Sequence, residues 1–220
     1  MLLLKTDKMI INRLTSIDSN NAKPASETTG VMLKTIRTLK HKVTALENKL
    51  SKAQHLAHHD ELTGLANRSL LRDRLNQAIK HAIRHQNLVA VLLLDLNDFK
   101  RINDTFGHHI GDALLINVAS RLNSCIRDAD SVYRYGGDEF VVLVPDVENV
   151  SGPFELKSKL LACIAKPYNI SEQAFSISAS IGVAIYPKHG ADQHALIKYA
   201  DSKMYTAKQV SQEKSLPLLR

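Results

Sequence analysis

Seven apolar residues in a row, Leu88-Val89-Ala90-Val91-Leu92-Leu93-Leu94, run without alternation straight into Asp95. A strand with one wet face alternates with period two, whereas a short run that is apolar at every position has both faces covered, as at the centre of a sheet. The chain is therefore expected to fold around an interior strand that ends in a carboxylate. An unpaired charge at such a place is costly, so Asp95 needs a cation. The competing reading, an Asp that caps the next helix, suits Asn97 or Asp98 better.

A second pair of carboxylates stands at a turn. Val132 to Tyr135 and Phe140 to Val144 are rich in β-branched and aromatic residues, and Gly136-Gly137 between them supplies the freedom a tight hairpin needs. Asp138 and Glu139 then fall where the second strand restarts. Adjacent carboxylates repel each other and lose solvation on burial, so they call for a cation or a raised pKa, unless the whole group is a solvated turn.

The remaining elements complete an ordinary globular composition, with 44% hydrophobic and 23% charged residues. Leu70, Leu71, Leu75, Ala78, Ile79, Ala82 and Ile83 mark one helix face, and Ser69 is available to cap it. Leu115, Val118, Ala119, Leu122 and Ile126 mark another, after a glycine-broken loop carrying Asn103, His108 and Asp112. An amide and an acid suit the donors and acceptors of guanine, although Asp112 is equally at home in the first turn of a helix. Lys100 either meets phosphate or faces water. A further helix around Leu156 to Ile164 leads to a segment in which Phe175, Ile177, Ala179, Ile181, Val183 and Ile185 alternate with small residues. That small face can approach another layer closely. Cys125 and Cys163 lack metal-ligand spacing and read as reduced core thiols of a cytoplasmic protein.

The chain carries a net charge of +7, and it is unevenly spread. Residues 1–58 hold ten Lys or Arg against four Asp or Glu, and the rest hold nineteen against eighteen. The basicity thus belongs to the N-terminal part and gives no case for nucleic-acid binding by the folded part. No apolar run is long enough for a membrane span. Residues 1–28, with weak periodicity at Met9, Ile10, Ile11 and Leu14 and a polar Ser19–Ser26 patch, read as a segment and linker of no assigned role. From residue 29 to 58, Ile36, Leu39, Val43, Leu46, Leu50, Ala53 and Ala57 recur at steps of three and four. This is a heptad seam: either a parallel coiled coil joining two copies, or a helix packed on its own domain. His58 and His59 are neighbours and would point about 100° apart on a helix, too divergent to share a metal. Asp60 and Arg68 bracket the next turn and are expected to pair.

In order and spacing, Asp95-Leu96-Asn97-Asp98-Phe99-Lys100, Asn103-Asp104, Gly107-His108, Gly111-Asp112 and Gly136-Gly137-Asp138-Glu139-Phe140 resemble the signature of the GGDEF family of diguanylate cyclases. Asp60 to Arg68 is similar to that family's leading D-x-L-T-G-L-x-N-R motif, and Ala200 to Lys208 to its A-D-x-A-M-Y-x-A-K. The resemblance implies an α+β fold like that of nucleotidyl cyclases and polymerase palm domains: a ferredoxin-like, mostly antiparallel sheet of about five strands wrapped by helices. It places the catalytic domain at residues 59–214, followed by a tail, 215–220.

The implied reaction is condensation of two GTP into cyclic di-GMP and two pyrophosphates between two facing domains of a homodimer. By the same resemblance Asp95, the Leu96 carbonyl, Asp138 and Glu139 hold Mg²⁺ or Mn²⁺, Asp138 is the candidate base, and Lys100 stabilises phosphate charge. Asn103, His108 and Asp112 surround guanine and ribose, and Lys208 serves the phosphates. Arg127 and Asp130 match an R-x-x-D motif through which the product inhibits. Two departures stand out: Lys203 replaces a small residue, and Ser211-Gln212-Glu213-Lys214 stands where the family has G-R-N, so one phosphate contact is missing unless Lys214 substitutes. A catalytically silent domain that binds GTP or cyclic di-GMP as a receptor is the alternative, and a dimerising scaffold is a third class.

Overall fold

In the computed structural model of the chain, the backbone is described for residues 23–215 and the side chains for residues 29–53 and 56–211. The N-terminal periodicity around Met9 to Leu14 and the side chains of Gln212 and Lys214 lie outside the described residues. The chain forms two compact units, divided between Ala53 and Gln54.

Helix α1, Lys23–His58, begins inside the polar patch read as linker; its residues up to Ala53 belong to the first unit and its last five to the second. Pro24 does not prevent this, because a first-turn proline lacks only an N–H that has no intrahelical partner anyway. The seam residues Ile36, Leu39, Val43, Leu46 and Leu50 are all exposed, between 41% and 65%. Taken by itself, this helix leaves the apolar stripe in water.

The second unit runs through β1 (Ala66–Asn67), α2 (Arg68–His85), β2 (Leu88–Leu96), α3 (Phe99–Phe106), α4 (His108–Cys125), β3 (Ser131–Gly136), β4 (Glu139–Val147), α5 (Gly152–Ile164), β5 (Tyr168–Ile170), β6 (Gln173–Phe175), β7 (Ala179–Tyr186) and α6 (Gln193–Ser215). Five strands form one sheet in the order β1-β3-β4-β2-β7, and β5 and β6 form a separate hairpin. Only the short β1–β3 contact is parallel; β3–β4, β4–β2 and β2–β7 are antiparallel.

The unbroken apolar run explains the layering. On β2, Ala90, Leu92, Leu94 and Leu96 face a core shared with Leu114, Val118 and Leu122 of α4 and Leu160 and Ile164 of α5. Val89, Val91 and Leu93 face the opposite core, with Leu71, Leu75 and Ile79 of α2 and Leu196, Ala200 and Met204 of α6. Both faces are covered, so neither parity is polar. Burying one such leucine stabilises the fold by roughly 2 kcal/mol.

Several local expectations are corrected. The 175–185 stretch is not one strand: β6 ends at Phe175, and β7 begins at Ala179. Helix α2 is capped by Asn67 rather than Ser69, its side chain accepting from the Ser69 and Leu70 N–H groups at 2.9 and 3.1 Å. Cys125 and Cys163, read as separate reduced thiols, are brought together from α4 and α5 as a disulfide-bonded pair. Helical periodicity buries each cysteine but does not say which helices become neighbours. Arg121 of α4 reinforces that junction by donating to the carbonyls of Cys163, in the last turn of α5, and of Lys166 and Pro167 beyond its end.

The small face of β7 does meet a close neighbour. A Cβ built on Gly182 would lie 1.9 Å from the Ala200 carbonyl oxygen and 2.4 Å from the Met204 nitrogen, both backbone atoms of α6. Gly182→Ala is therefore expected to push α6 off the sheet and cost about 1–3 kcal/mol, as overpacking does. Urea unfolding checks this, and an unchanged midpoint would show that the helix moves freely.

Candidate active site

Antiparallel register sets Asp95, the penultimate residue of β2, directly opposite Glu139 on β4 and Ser180 on β7. The pleat then sends Asp95 and Glu139 to the α6 side, since odd-numbered residues of β2 and β4 share that face. Two carboxylates opposite each other on one face repel. Asp95 is 9% exposed, and its cation in this structure is Lys208 of α6, whose Nζ donates to Oδ1 at 2.6 Å.

The hairpin contributes the third carboxylate. Gly136 pairs with Glu139, so the turn itself is Gly137-Asp138. Of the two turn glycines only Gly137 has a positive φ, at 51°. Asp138 thus sits in the turn, one residue before the strand, and its carbonyl accepts from Leu96 N–H at 3.3 Å. Burial pushes the Asp138 carboxyl above the ordinary Asp value, and the Asp95 charge adds to the shift. Glu139 is raised in the same way, by burial first and then by Asp95, Asp138 and Asp201.

Arg134 holds this turn. Its Nε and Nη2 donate to the Gly137 carbonyl at 3.1 and 2.9 Å, while Nη1 donates to Asp60 Oδ1 at 2.9 Å. The expected Asp60–Arg68 pair is therefore replaced: Arg68 lies over the Tyr135 ring at 4.5 Å, and Asp60 takes Arg134. Burial alone would raise the Asp60 carboxyl, but hydrogen bonds from Thr63 and Arg134 outweigh it and hold the group below the usual value.

The guanine and phosphate candidates fall on α3 and α4. Lys100 is exposed on α3, and His108 and Asp112 are exposed one turn apart on α4, hence on one face. Asn103 of α3 has its Oδ1 buried and without a hydrogen-bond partner. Gly111 makes room for this amide: a Cβ there would lie 1.8 Å from Asn103 Oδ1. A buried acceptor left open in this way suits a ligand donor.

Arg127 and Asp130 close on each other across the turn after α4, at 3.4 Å, with the Asp130 side chain 2% and the Arg127 side chain 61% exposed. Both line a hollow of about 290 Å³ together with Val144, Glu148 and Lys159.

Three groups escaped the sequence reading. Arg134 lies two residues before Gly136, but nothing local says that a strand arginine will reach its own turn. Asp201 adds charge beside Glu139; its spacing of seven from Lys208, two helical turns, was the available signal. Asn97, expected to suit a helix cap, instead bonds to Ser178 and Ser180. Asp98 occupies the N-cap of α3 without a side-chain cap bond. Among the described residues no three His, Cys, Asp or Glu side chains form a ready metal cluster.

The unit is thus a three-layer α+β domain with acidic groups gathered where its central strand meets a hairpin. The sequence matches the family described as diguanylate cyclase, GGDEF domain, over residues 57–214, and the chain belongs to that family. It is 46% identical over 174 residues to MucR of Pseudomonas aeruginosa, a bifunctional diguanylate cyclase/cyclic di-GMP phosphodiesterase, covering 77% of this chain and 25% of MucR. It is 38% identical to the diguanylate cyclase TpbB of Pseudomonas aeruginosa, covering 74% of this chain and 38% of TpbB. Among solved structures, the coiled coil and GGDEF domain of DgcB from Caulobacter crescentus, in complex with c-di-GMP, superposes with a TM-score of 0.74 at 26% identity, covering 81% of this chain and 95% of that one. The chain spans between a quarter and two fifths of the length of these two curated relatives.

The carboxyl shifts predict a pH dependence. A carboxyl raised in the folded state gives stability below its unfolded value, near 4, that is lost as pH rises through the folded value. Asp60, being lowered, has the opposite sign: its contribution is present above about pH 4 and is lost on acidification. Asp138→Asn should therefore raise the melting temperature of metal-free protein by about 2 °C at pH 7.5, with the gain shrinking toward pH 4. Differential scanning fluorimetry across that range reads both the sign and the trend.

Proposed function

We propose that this chain is an active diguanylate cyclase that condenses two GTP into cyclic di-GMP and two pyrophosphates, with each of two paired domains binding one nucleotide. The observation that carries the reading is the convergence of Asp95, Asp138 and Glu139 at one corner, where burial and mutual repulsion raise two of the three carboxyls. Such a corner is short of positive charge. The donor set, carboxylates plus the Leu96 carbonyl, is all oxygen and fits Mg²⁺ or Mn²⁺.

When bound, the ion supplies charge neutralisation for the triphosphate and a lower pKa for the attacking hydroxyl. The chain's own residues do the rest. Asn103 offers its open amide oxygen to guanine N–H donors, and Asp112 and His108 bind from the neighbouring face of α4. Asp138 accepts the proton of the 3′-hydroxyl. Lys100 and Lys208 face phosphate oxygens; Lys208 neutralises Asp95 in the free domain, and Asp95 would hold the ion once released from it.

Each domain holds one nucleotide, so the reaction requires a second copy. The exposed seam of α1 is the proposed contact. With Ile36, Val43 and Leu50 at a and Leu39, Leu46 and Ala53 at d, Lys42 falls at g and Glu47 at e. A parallel, in-register pair then sets Lys42 of one copy opposite Glu47 of the other. Residues 29–58 are accordingly the dimerising helix and 59–214 the catalytic domain, and the chain works in the cytoplasm. Arg127 and Asp130 form the product-binding site, the guanidinium exchanging its in-chain carboxylate for a phosphate or a guanine edge.

Incubation with GTP and Mg²⁺ is expected to yield cyclic di-GMP, and Asp138→Asn to lower the rate at least a thousandfold while GTP still binds. Binding of labelled cyclic di-GMP without turnover would instead make the chain a receptor, the outcome that the missing arginine after Lys208 favours. Arg127→Ala is expected to weaken inhibition by added cyclic di-GMP at least tenfold; an unchanged inhibition curve in a folded variant removes the product site from this reading.

A further inference from the structure

The end of β2 is gripped unequally on its two sides. Toward the hairpin the last contact is the long 3.3 Å bond from Leu96 N–H to the Asp138 carbonyl. Toward β7 the ladder continues one residue further, with Asn97 N–H donating to the Ser178 carbonyl at 2.9 Å. The Asn97 side chain then doubles that grip. Its Nδ2 donates to Ser178 Oγ at 2.9 Å, and its Oδ1 accepts from Ser180 Oγ at 2.9 Å. Ser180 is 2% exposed and is the strand partner of Asp95.

Directly beyond this clamp the chain changes direction. Asp98 adopts a left-handed conformation, φ 58° and ψ 19°, and α3 begins without a side-chain cap. A strand that must end in a turn needs something to fix where it ends. Asn97 does this on the α6 side, the side to which Asp95 points. Both polar ends of its amide are engaged by serines, so they are not offered to a ligand.

We infer that Asn97, locked between Ser178 and Ser180, is a positioning residue that aims the Asp95 carboxylate and the Leu96 carbonyl at the bound metal ion. The inference rests on the proposed metal site and adds to it a support on the β7 edge. Groups that orient metal ligands are commonly worth 10–100-fold in affinity, and small misplacements at a reacting centre are expensive.

Asn97→Leu keeps the size of the side chain and removes both hydrogen bonds. Asn97→Asp keeps the bond from Ser180 and reverses the one to Ser178, whose hydroxyl can turn to donate to the carboxylate. Mn²⁺ binding to the intact chain, followed by electron paramagnetic resonance without nucleotide, is the primary readout. Asn97→Leu should weaken Mn²⁺ binding about 10–100-fold, while Asn97→Asp stays within about threefold of native. Ser180→Ala, a smaller change, should weaken it in the same direction.

In turnover, the loss for Asn97→Leu should appear in kcat and in the metal requirement, with the KM for GTP at saturating Mn²⁺ within about threefold of native. A purely structural role would lower the melting temperature without this split. Equal Mn²⁺ affinity in native protein and folded Asn97→Leu overturns the inference, as does an equal loss in Asn97→Leu and Asn97→Asp. Native protein that binds no Mn²⁺ fails the metal site itself, which is a different result from a clamp that proves dispensable.

Discussion

A carboxylate at the end of a strand buried on both faces is the constraint around which this domain is arranged. Asp95 cannot turn to solvent, because β2 lies between β4 and β7 and helices cover both of its sides. Its charge must be met from the sheet face it points to. That face belongs to α6, and Lys208 meets it. The close seating of α6 depends in turn on Gly182, where any side chain would strike the helix backbone. A glycine in β7, a lysine in α6 and an aspartate in β2 are thus parts of one device, although 113 residues separate the two charged partners.

The hairpin answers a related problem. Asp138 and Glu139 are raised by burial and by their neighbours, so the turn that carries them stores repulsion. Arg134 offsets it by gripping the Gly137 carbonyl with two donors and holding Asp60 with the third. Asp60 also accepts from the Thr63 backbone and hydroxyl at 2.8 and 2.6 Å. The turn that follows α1 is therefore tied through one guanidinium to the turn that carries the acids. Asn67 strengthens this corner by capping α2 while donating to the Ala57 carbonyl at the end of α1.

What the sequence revealed and what it hid follow from the range of the forces involved. The buried strand was legible because burial on both faces removes period-two alternation, a local pattern. The hairpin acids and the glycine-broken loop were legible for the same reason. Pairings set by register were not legible. Asp60 chose Arg134 over the nearer Arg68 because β1 pairs with β3, which no window of sequence displays. The cysteine pair and the Asn97 clamp were hidden similarly: each joins residues 38 or more positions apart whose own neighbourhoods look unremarkable. Helix α1 was read correctly in its periodicity but too late in its start, since polar composition resembles a linker whether or not the backbone is helical.

The exposed seam of α1 and the acid corner of the catalytic unit make the same demand on the molecule. Leu39, Val43, Leu46 and Leu50 leave more than half of their surface in water, a state that association with a like surface relieves. The proposed reaction places one nucleotide at the acid corner of each chain, whereas its product contains two. Among the described residues of one copy nothing covers the seam. A parallel pairing of helices, favoured by Lys42 opposite Glu47, covers it and at the same time raises the local concentration of one catalytic unit about the other. In the proposed dimer that gain would depend on whether the paired units can face each other, and so on the register and rotation of the helices.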